Sequence, residues 1–163
     1  MKLAVRPAGP LDARPMAELL NEIIAAGGTT ALTSPLGTED LRTWMTQTPE
    51  RAAWHLAETE DGTVVGFQWI EPADYLPDEA AEIATFARLG SAGLGIGSAL
   101  FRETEKAARK LGYAWINANI RADNSGGLAY YQSRGFEDYA TKSGVPLGDG
   151  QTVDKVLKRY DLR

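Results

Sequence analysis

The chain contains no cysteine and a single histidine, His55, among its 163 residues. Without thiols there is no disulfide, no thiolate zinc site, no iron–sulfur cluster and no cysteine nucleophile. One histidine leaves no multi-histidine metal site, and a Ser-His-Asp arrangement would rest on His55 alone. Positive charge is also short, with 17 Lys+Arg against 22 Asp+Glu and a net charge of -5. A general nucleic-acid binder needs a basic face to neutralise phosphates, so that class of partner is not expected. Met1-Lys2-Leu3 leads directly into Ala4-Val5-Arg6-Pro7, and no apolar run reaches signal-peptide or membrane-spanning length. A soluble cytoplasmic protein with no membrane partner is the expectation. What is present is ordinary: 44% hydrophobic and 24% charged residues, in a length that suits one domain over residues 1–163.

The pattern of apolar residues gives the order of elements. Leu3 to Arg6 alternates as a strand, and Asp12 is a candidate N-cap for a helix through Met16, Leu19, Leu20, Ile23 and Ile24. Gly27-Gly28 stops it. A second short helix is expected from Thr38, read as its cap, to Met45. Ala53–Ala57 and Val64–Ile70 read as strands joined at Asp61-Gly62, and Ile83–Ala87 as a further strand. From Ile96 the positions Ile96, Leu100, Thr104, Ala107 and Leu111 recur at helical spacing until Gly112. Trp115–Ile120 is a strand, Leu128–Ser133 a short helix, and a hairpin of Phe136–Ala140 with Val153–Tyr160 closes the chain. Mostly antiparallel strands around a central βαβ unit indicate an α/β or α+β sandwich.

Between the fourth strand-like segment and the long helix lies Gly90-Ser91-Ala92-Gly93-Leu94-Gly95-Ile96-Gly97-Ser98. Glycines there let the backbone approach a ligand, and the first N–H groups of a helix have no internal partner. With the helix dipole behind them, those donors make a phosphate site. A tight turn without a ligand needs fewer than the three glycines found in residues 93–97. The dinucleotide fingerprint fails, because Leu100 stands where its third glycine belongs. The P-loop fails too, because Gly97-Ser98 is followed by Ala99.

Gly93-Leu94-Gly95-Ile96-Gly97-Ser98-Ala99-Leu100 resembles the acetyl-CoA pyrophosphate loop of the GNAT (Gcn5-related) N-acetyltransferases. Asn124-Ser125-Gly126-Gly127-Leu128-Ala129-Tyr130-Tyr131-Gln132-Ser133-Arg134-Gly135-Phe136 resembles that family's second signature, and the order of elements matches over essentially the whole chain. The resemblance implies a GNAT-type mixed, mostly antiparallel sheet with helices on both faces. It implies acetyl-CoA as co-substrate, without a metal, held by the backbone of Gly93, Leu94, Gly95, Ile96, Gly97 and Ser98. The strand ending at Phe86-Ala87 would pair with the pantetheine arm, and Asn124 would hold that arm or orient the thioester. Tyr131 would be the general acid, with adjacent Tyr130 as the other candidate. Ala92 stands where the family usually has Arg or Gln; Arg88, Arg102 or Lys106 could replace the lost charge. Homodimers are common in the family, so a homodimer is a possible state.

The phosphinothricin/methionine-sulfoximine branch is the most similar. Thr29-Thr30-Ala31 and the helix with Trp44 resemble its substrate-side region, and Glu82 falls where it carries a strand glutamate proposed as general base. A small-molecule amine or amino acid is then the acceptor, with Thr29, Thr30, Trp69 and Glu71 as its contacts. Two other readings stay open: a non-catalytic acyl-CoA-binding or regulatory module, and an enzyme acting on protein N-termini or lysines. The residues supply their own reasons for direct transfer. A thioester is already activated, so the amine must lose a proton and the leaving thiolate must gain one. Glu82 at the edge of an apolar strand suits the first task, with Glu71, Asp74 and Glu79 as alternatives. Tyr131 suits the second. His55 alternates with Trp54 and Leu56 on its strand and reads as structural. Asn117, Asn119 and Arg121 share one strand face, toward substrate or solvent.

Overall fold

The computed structural model describes residues 2–91 and 94–163. Seven strands form one sheet: β1 (Leu3–Pro7), β2 (Ala53–Thr59), β3 (Val64–Glu71), β4 (Ala80–Ala87), β5 (Trp115–Arg121), β6 (Glu137–Pro146) and β7 (Thr152–Asp161). Their spatial order is β1-β2-β3-β4-β5-β7-β6. The β4/β5 pair is parallel and every other pair is antiparallel. The helices are α1 (Ala13–Ala26), α2 (Thr38–Met45), α3 (Ile96–Lys110) and α4 (Ser125–Arg134), with a 3-10 turn at Pro10–Asp12. The expected mixed sheet is therefore present, and α3 is the crossover that makes β4 and β5 parallel.

Period-two alternation sends the two faces of the sheet to different helices. Trp54, Leu56, Phe67, Trp69 and Phe86 form one core with Met16, Leu20, Ile23 and Leu41 of α1 and α2. Ile70, Ala81, Ile83, Ile116, Ala118 and Ile120 meet Phe101 of α3, Tyr131 of α4 and Phe136 on the opposite face. Phe67 and Phe136 are fully buried, so truncating either to alanine would cost about 3–5 kcal/mol.

Several boundaries differ from the sequence expectation. Asp12 does not cap α1 with its side chain. Its carboxylate accepts from the Gly9 N–H (2.8 Å) and pairs with Arg6 (2.9 Å), closing the 3-10 turn. Gly37, not Thr38, is the cap of α2, and Asp40 accepts its N–H at 2.9 Å. β4 begins at Ala80 and α4 at Ser125, because Asn124 caps Gly126-Gly127 into the helix. In the C-terminal hairpin the second arm, β7, lies inside and pairs with β5, leaving β6 at the edge. Among the described residues no helix is long and apolar enough to cross a membrane.

Candidate active site

The parallel β4/β5 ladder runs only from Ala80↔Trp115 to Ile83↔Ala118. Beyond it the strands diverge, so residues 84–87 present a free backbone edge toward β5 while β3 pairs with their other side. A cavity of about 890 Å³ opens along this gap. Its lining includes Glu82–Ser91, Gly95–Ser98, Asn119–Arg121, Tyr130 and Tyr131. Phe86 and Ala87 thus lie where the resemblance placed them. The Phe86 ring turns away from the gap into a stack with Trp69 and Phe67, at centroid distances of 5.3 and 5.1 Å.

At one end of the gap stands the glycine turn. Gly95 caps α3 in the left-handed region (φ 76°), so the helix starts directly from the turn. The N–H groups of Gly95, Ile96, Gly97 and Ser98 find no backbone acceptor among the described residues, whereas Leu94 donates to Ser91 (3.2 Å). Four convergent donors at a helix start fit a pyrophosphate. Tyr130 fixes their position: its hydroxyl donates to the Gly97 carbonyl at 2.7 Å. A Cβ at Gly97 would sit 2.4 Å from the Tyr130 ring, so only glycine fits there. Ala92 and Gly93 lie outside the described residues. Of the cations expected to replace the Ala92 position, Arg88 lines the cavity and Arg102 and Lys106 do not. Arg134 was missed in sequence because it reads as the last turn of α4; it lines the cavity and donates to Ser98 Oγ at 2.8 Å.

Tyr131 approaches the gap from the α4 side. It is buried, and its hydroxyl lies 2.8 Å from Thr85 Oγ1. Burial pushes its phenol well above the usual range, and Tyr130 is pushed up to about 12 for the same reason. Glu82 approaches from the α1 side, since it alternates with Ile83 on β4. Its carboxylate accepts from Asn117 Nδ2 (2.8 Å) and from the Tyr75 hydroxyl. Burial holds its pKa above the ordinary carboxylate range despite those bonds. Tyr75, unnoticed in the sequence, also accepts from Asn117 (2.9 Å) and Asn119 (3.2 Å). No spacing rule connects these residues, because the loop that carries Tyr75 folds back over β5.

The other sequence candidates divide. Thr29 and Thr30 line the cavity, each held through its carbonyl, by Asn124 Nδ2 (3.1 Å) and Arg121 Nη1 (3.1 Å). Asn124 also lines it, but its Oδ1 is occupied as the α4 cap, accepting from Gly127 N–H at 3.0 Å. Trp69 and Trp44 form part of the wall. Glu71, directly opposite Glu82 in register, does not reach the cavity. Trp44 Nε1 donates to both of its oxygens at 2.9 Å. His55 lies on the α3 side away from this gap, buried, with its pKa lowered by desolvation.

The model of the Acetyltransferase (GNAT) family matches residues 18–136. A relative from Bacillus subtilis (strain 168), named "Putative phosphinothricin acetyltransferase YwnH", is 28% identical over 163 residues, covering 99% of this chain and 96% of its own. A GNAT superfamily phosphinothricin acetyltransferase (Pat) from Sinorhizobium meliloti, solved in complex with AcCoA, superposes with a TM-score of 0.85 at 21% identity. That alignment covers 99% of this chain and 89% of the other. An N-acetyltransferase from Staphylococcus aureus Mu50 has a TM-score of 0.89 at 20% identity, over the full length of both chains. These solved structures share the fold, and the family match extends to the glycine turn and the Tyr131 helix. The chain belongs to the acetyltransferase (GNAT) family and is an acetyl-CoA-dependent acetyltransferase.

Proposed function

We propose that the enzyme acetylates the amino group of a small molecule by direct attack on the thioester, with Glu82 as base and Tyr131 as acid. The observation that carries this reading is that both groups reach one gap from opposite faces of the sheet, each lining the same cavity. Acetyl-CoA, when bound, supplies an acetyl group already activated as a thioester. The N–H groups of Gly95–Ser98 and the cations Arg88 and Arg134 suit its pyrophosphate, and the free edge of residues 84–87 suits its amide-bearing arm. Glu82, with its pKa raised by burial, accepts a proton from the attacking amine directly or through water. Tyr131 stays protonated at neutral pH and holds that proton at the gap, where a departing thiolate needs one. Holding both substrates in one site supplies much of the remaining acceleration.

The acceptor wall of Thr29, Thr30, Trp44 and Trp69 lines the same cavity of about 890 Å³, a volume that suits a small molecule. The relatives' names, which include phosphinothricin, support a small-molecule acceptor. The test is mass spectrometry of an amine and amino-acid panel incubated with acetyl-CoA and enzyme. Acetylated small molecules are expected. Acetylation confined to peptides, or cofactor binding with no product, overturns the proposal.

A further inference from the structure

One phenol joins the polar groups of the acceptor end. Tyr75 sits on the connection between β3 and β4. Its hydroxyl donates to Glu82 Oε2 and accepts from Asn117 Nδ2 (2.9 Å) and Asn119 Nδ2 (3.2 Å). One donated and two accepted bonds use the whole capacity of a phenol. The ring is held from outside by Lys142, whose ammonium lies 4.3 Å from its centre. Asn117 is fully buried and equally committed. Its Nδ2 also donates to Glu82 Oε1 (2.8 Å), and its Oδ1 accepts from the Tyr139 hydroxyl. Tyr139 is the extra residue of a bulge in β6, without a register partner in β7, and its ring stands edge-on to Trp115 at 5.7 Å.

This network has two consequences at the cavity. Glu82 makes no salt bridge among the described residues, so neutral donors fix both of its oxygens. An ion pair would pull its carboxyl down and weaken it as a base, whereas a phenol and an amide orient it and leave it above the usual range. Asn119 has its Nδ2 spent on Tyr75. Its Oδ1 is buried without a partner among the described residues, and Asn119 lines the cavity together with Glu82. A buried carbonyl without a donor costs stability, and an N–H arriving there recovers it.

We propose that Tyr75 is a positioning residue that presents two hydrogen-bond acceptors to the attacking amine, Glu82 for its proton and Asn119 Oδ1 for a second N–H. This rests on the reading of Glu82 as base. A primary amine carries enough N–H groups to meet both. Once one proton has passed to a Glu82 oxygen, the electron pair it leaves on nitrogen is free for the thioester carbon. Burial and the neighbouring Glu82 push the Tyr75 phenol well above its usual range, so it remains a donor at neutral pH. The other titratable or charged groups facing Glu82 are Lys155 on β7, Lys142 and Tyr139 on β6, and Tyr131 across the gap. Glu71, opposite on β3, is turned to Trp44, and α1 meets β4 through apolar side chains.

The experiment titrates Glu82 directly, by carbon NMR of enzyme with isotope-labelled glutamate carboxyls, its signal assigned by loss in Glu82→Gln. Kinetics with the best acceptor of the amine panel run beside it. Tyr75→Phe keeps the ring beneath Lys142 and removes the hydroxyl. Its Glu82 midpoint should rise by about one pH unit, the scale of a hydrogen bond to a charged group. The acid limb of kcat/KM should move with it and acceptor KM should rise, while acetyl-CoA KM stays within about twofold. Tyr139→Phe, which frees the Asn117 amide, should move the midpoint the same way by a smaller step. Asn119→Ala should raise acceptor KM about two- to tenfold and leave the midpoint in place. An unmoved midpoint in Tyr75→Phe overturns the positioning role, and an unchanged acceptor KM in Asn119→Ala overturns the second contact. A midpoint that moves as expected while Glu82→Gln is fully active overturns the base reading, and this role with it.

Discussion

The two ends of the cavity are built from different materials. On the proposed reading the donor end is chiefly backbone: the N–H groups of Gly95–Ser98, the free edge of residues 84–87, and a steric lock of Tyr130 on Gly97. The backbone donors among them do not titrate. The acceptor end is made of side chains with charge or hydrogen-bonding capacity, Glu82, Tyr75, Asn117, Arg121 and Lys155, several held away from water. Their state depends on pH and on what occupies the site. On the proposed reading this division lets a chain of net charge -5 hold a polyanionic co-substrate, because most of the donors that meet it belong to the backbone, with Arg88 and Arg134 beside them. It also puts chemical discrimination where partners can be exchanged by single substitutions. Changes at the donor end should appear in acetyl-CoA KM, and changes at the acceptor end in pH dependence and acceptor KM.

Tyr131 sits between the ends and should give the largest effect. Tyr131→Phe removes the proton and leaves the packing against Phe136 intact, so kcat should fall about 10²-fold or more with acetyl-CoA KM within about twofold. Steady-state kinetics with both substrates varied checks this. The acceptor end comes next. A base must be unprotonated to act, so activity should fall as pH drops through the Glu82 pKa, which burial places above the usual carboxylate range. Glu82→Gln should cost about 10- to 10²-fold between the Glu82 pKa and the amine's own pKa, and progressively less below the first, where Glu82 is itself protonated, and toward the second, where the amine needs no base. A rate deficit that is flat with pH would assign the base elsewhere.

The donor end was the more readable half in sequence, for a physical reason. Its function lies in local backbone geometry, and Gly95, Gly97 and the Asn124–Phe136 segment encode that geometry in contiguous residues. Tyr131 was readable from its spacing to Gly135-Phe136, and the structure places it at the gap rather than in the sheet's apolar interior alone. The acceptor end is assembled from four separate segments: the Tyr75 loop, β4, β5 and β7. Tyr75 and Lys155 reach Glu82 only through tertiary folding, and β7 inserting beside β5 is a pairing that no local pattern specifies. Glu71 shows the converse. Its residue type and place near Trp69 suggested a contact, but Trp44 satisfies both of its oxygens and closes it off. Arg134, too, reads as a helix-terminal charge until α4 is docked beside Ser98.

A smaller effect is expected from the steric lock itself. In Gly97→Ala the new methyl would sit 2.4 Å from Tyr130 Cε1, so the ring must move and its bond to the Gly97 carbonyl must break. Acetyl-CoA KM should rise about tenfold, the scale of one lost charge-assisted contact, with kcat less affected. Adding Tyr130→Leu should recover part of the affinity by removing the clash. A double variant no better than Gly97→Ala would mean that the hydrogen bond, rather than the clash, sets the turn.

Asn124 gives the smallest effect and the finest test, because one side chain serves both ends. Its Oδ1 caps α4, holding the helix that carries Tyr131, and its Nδ2 ties down the Thr29 carbonyl on the acceptor wall. Asn124→Ala loses both bonds and should cost about 1 kcal/mol, a fall of about 2–4 °C in Tm for a chain of this size. Asn124→Asp separates them. A carboxylate caps the helix and suits its dipole, so Tm should return close to the original value. It cannot donate to the Thr29 carbonyl, however, and the two oxygens repel, so acceptor KM should stay raised by about two- to fivefold while acetyl-CoA KM recovers. If both KM values recover with Tm, the Thr29 tie is incidental and the acceptor wall stands on Arg121 and its bond to Thr30 alone.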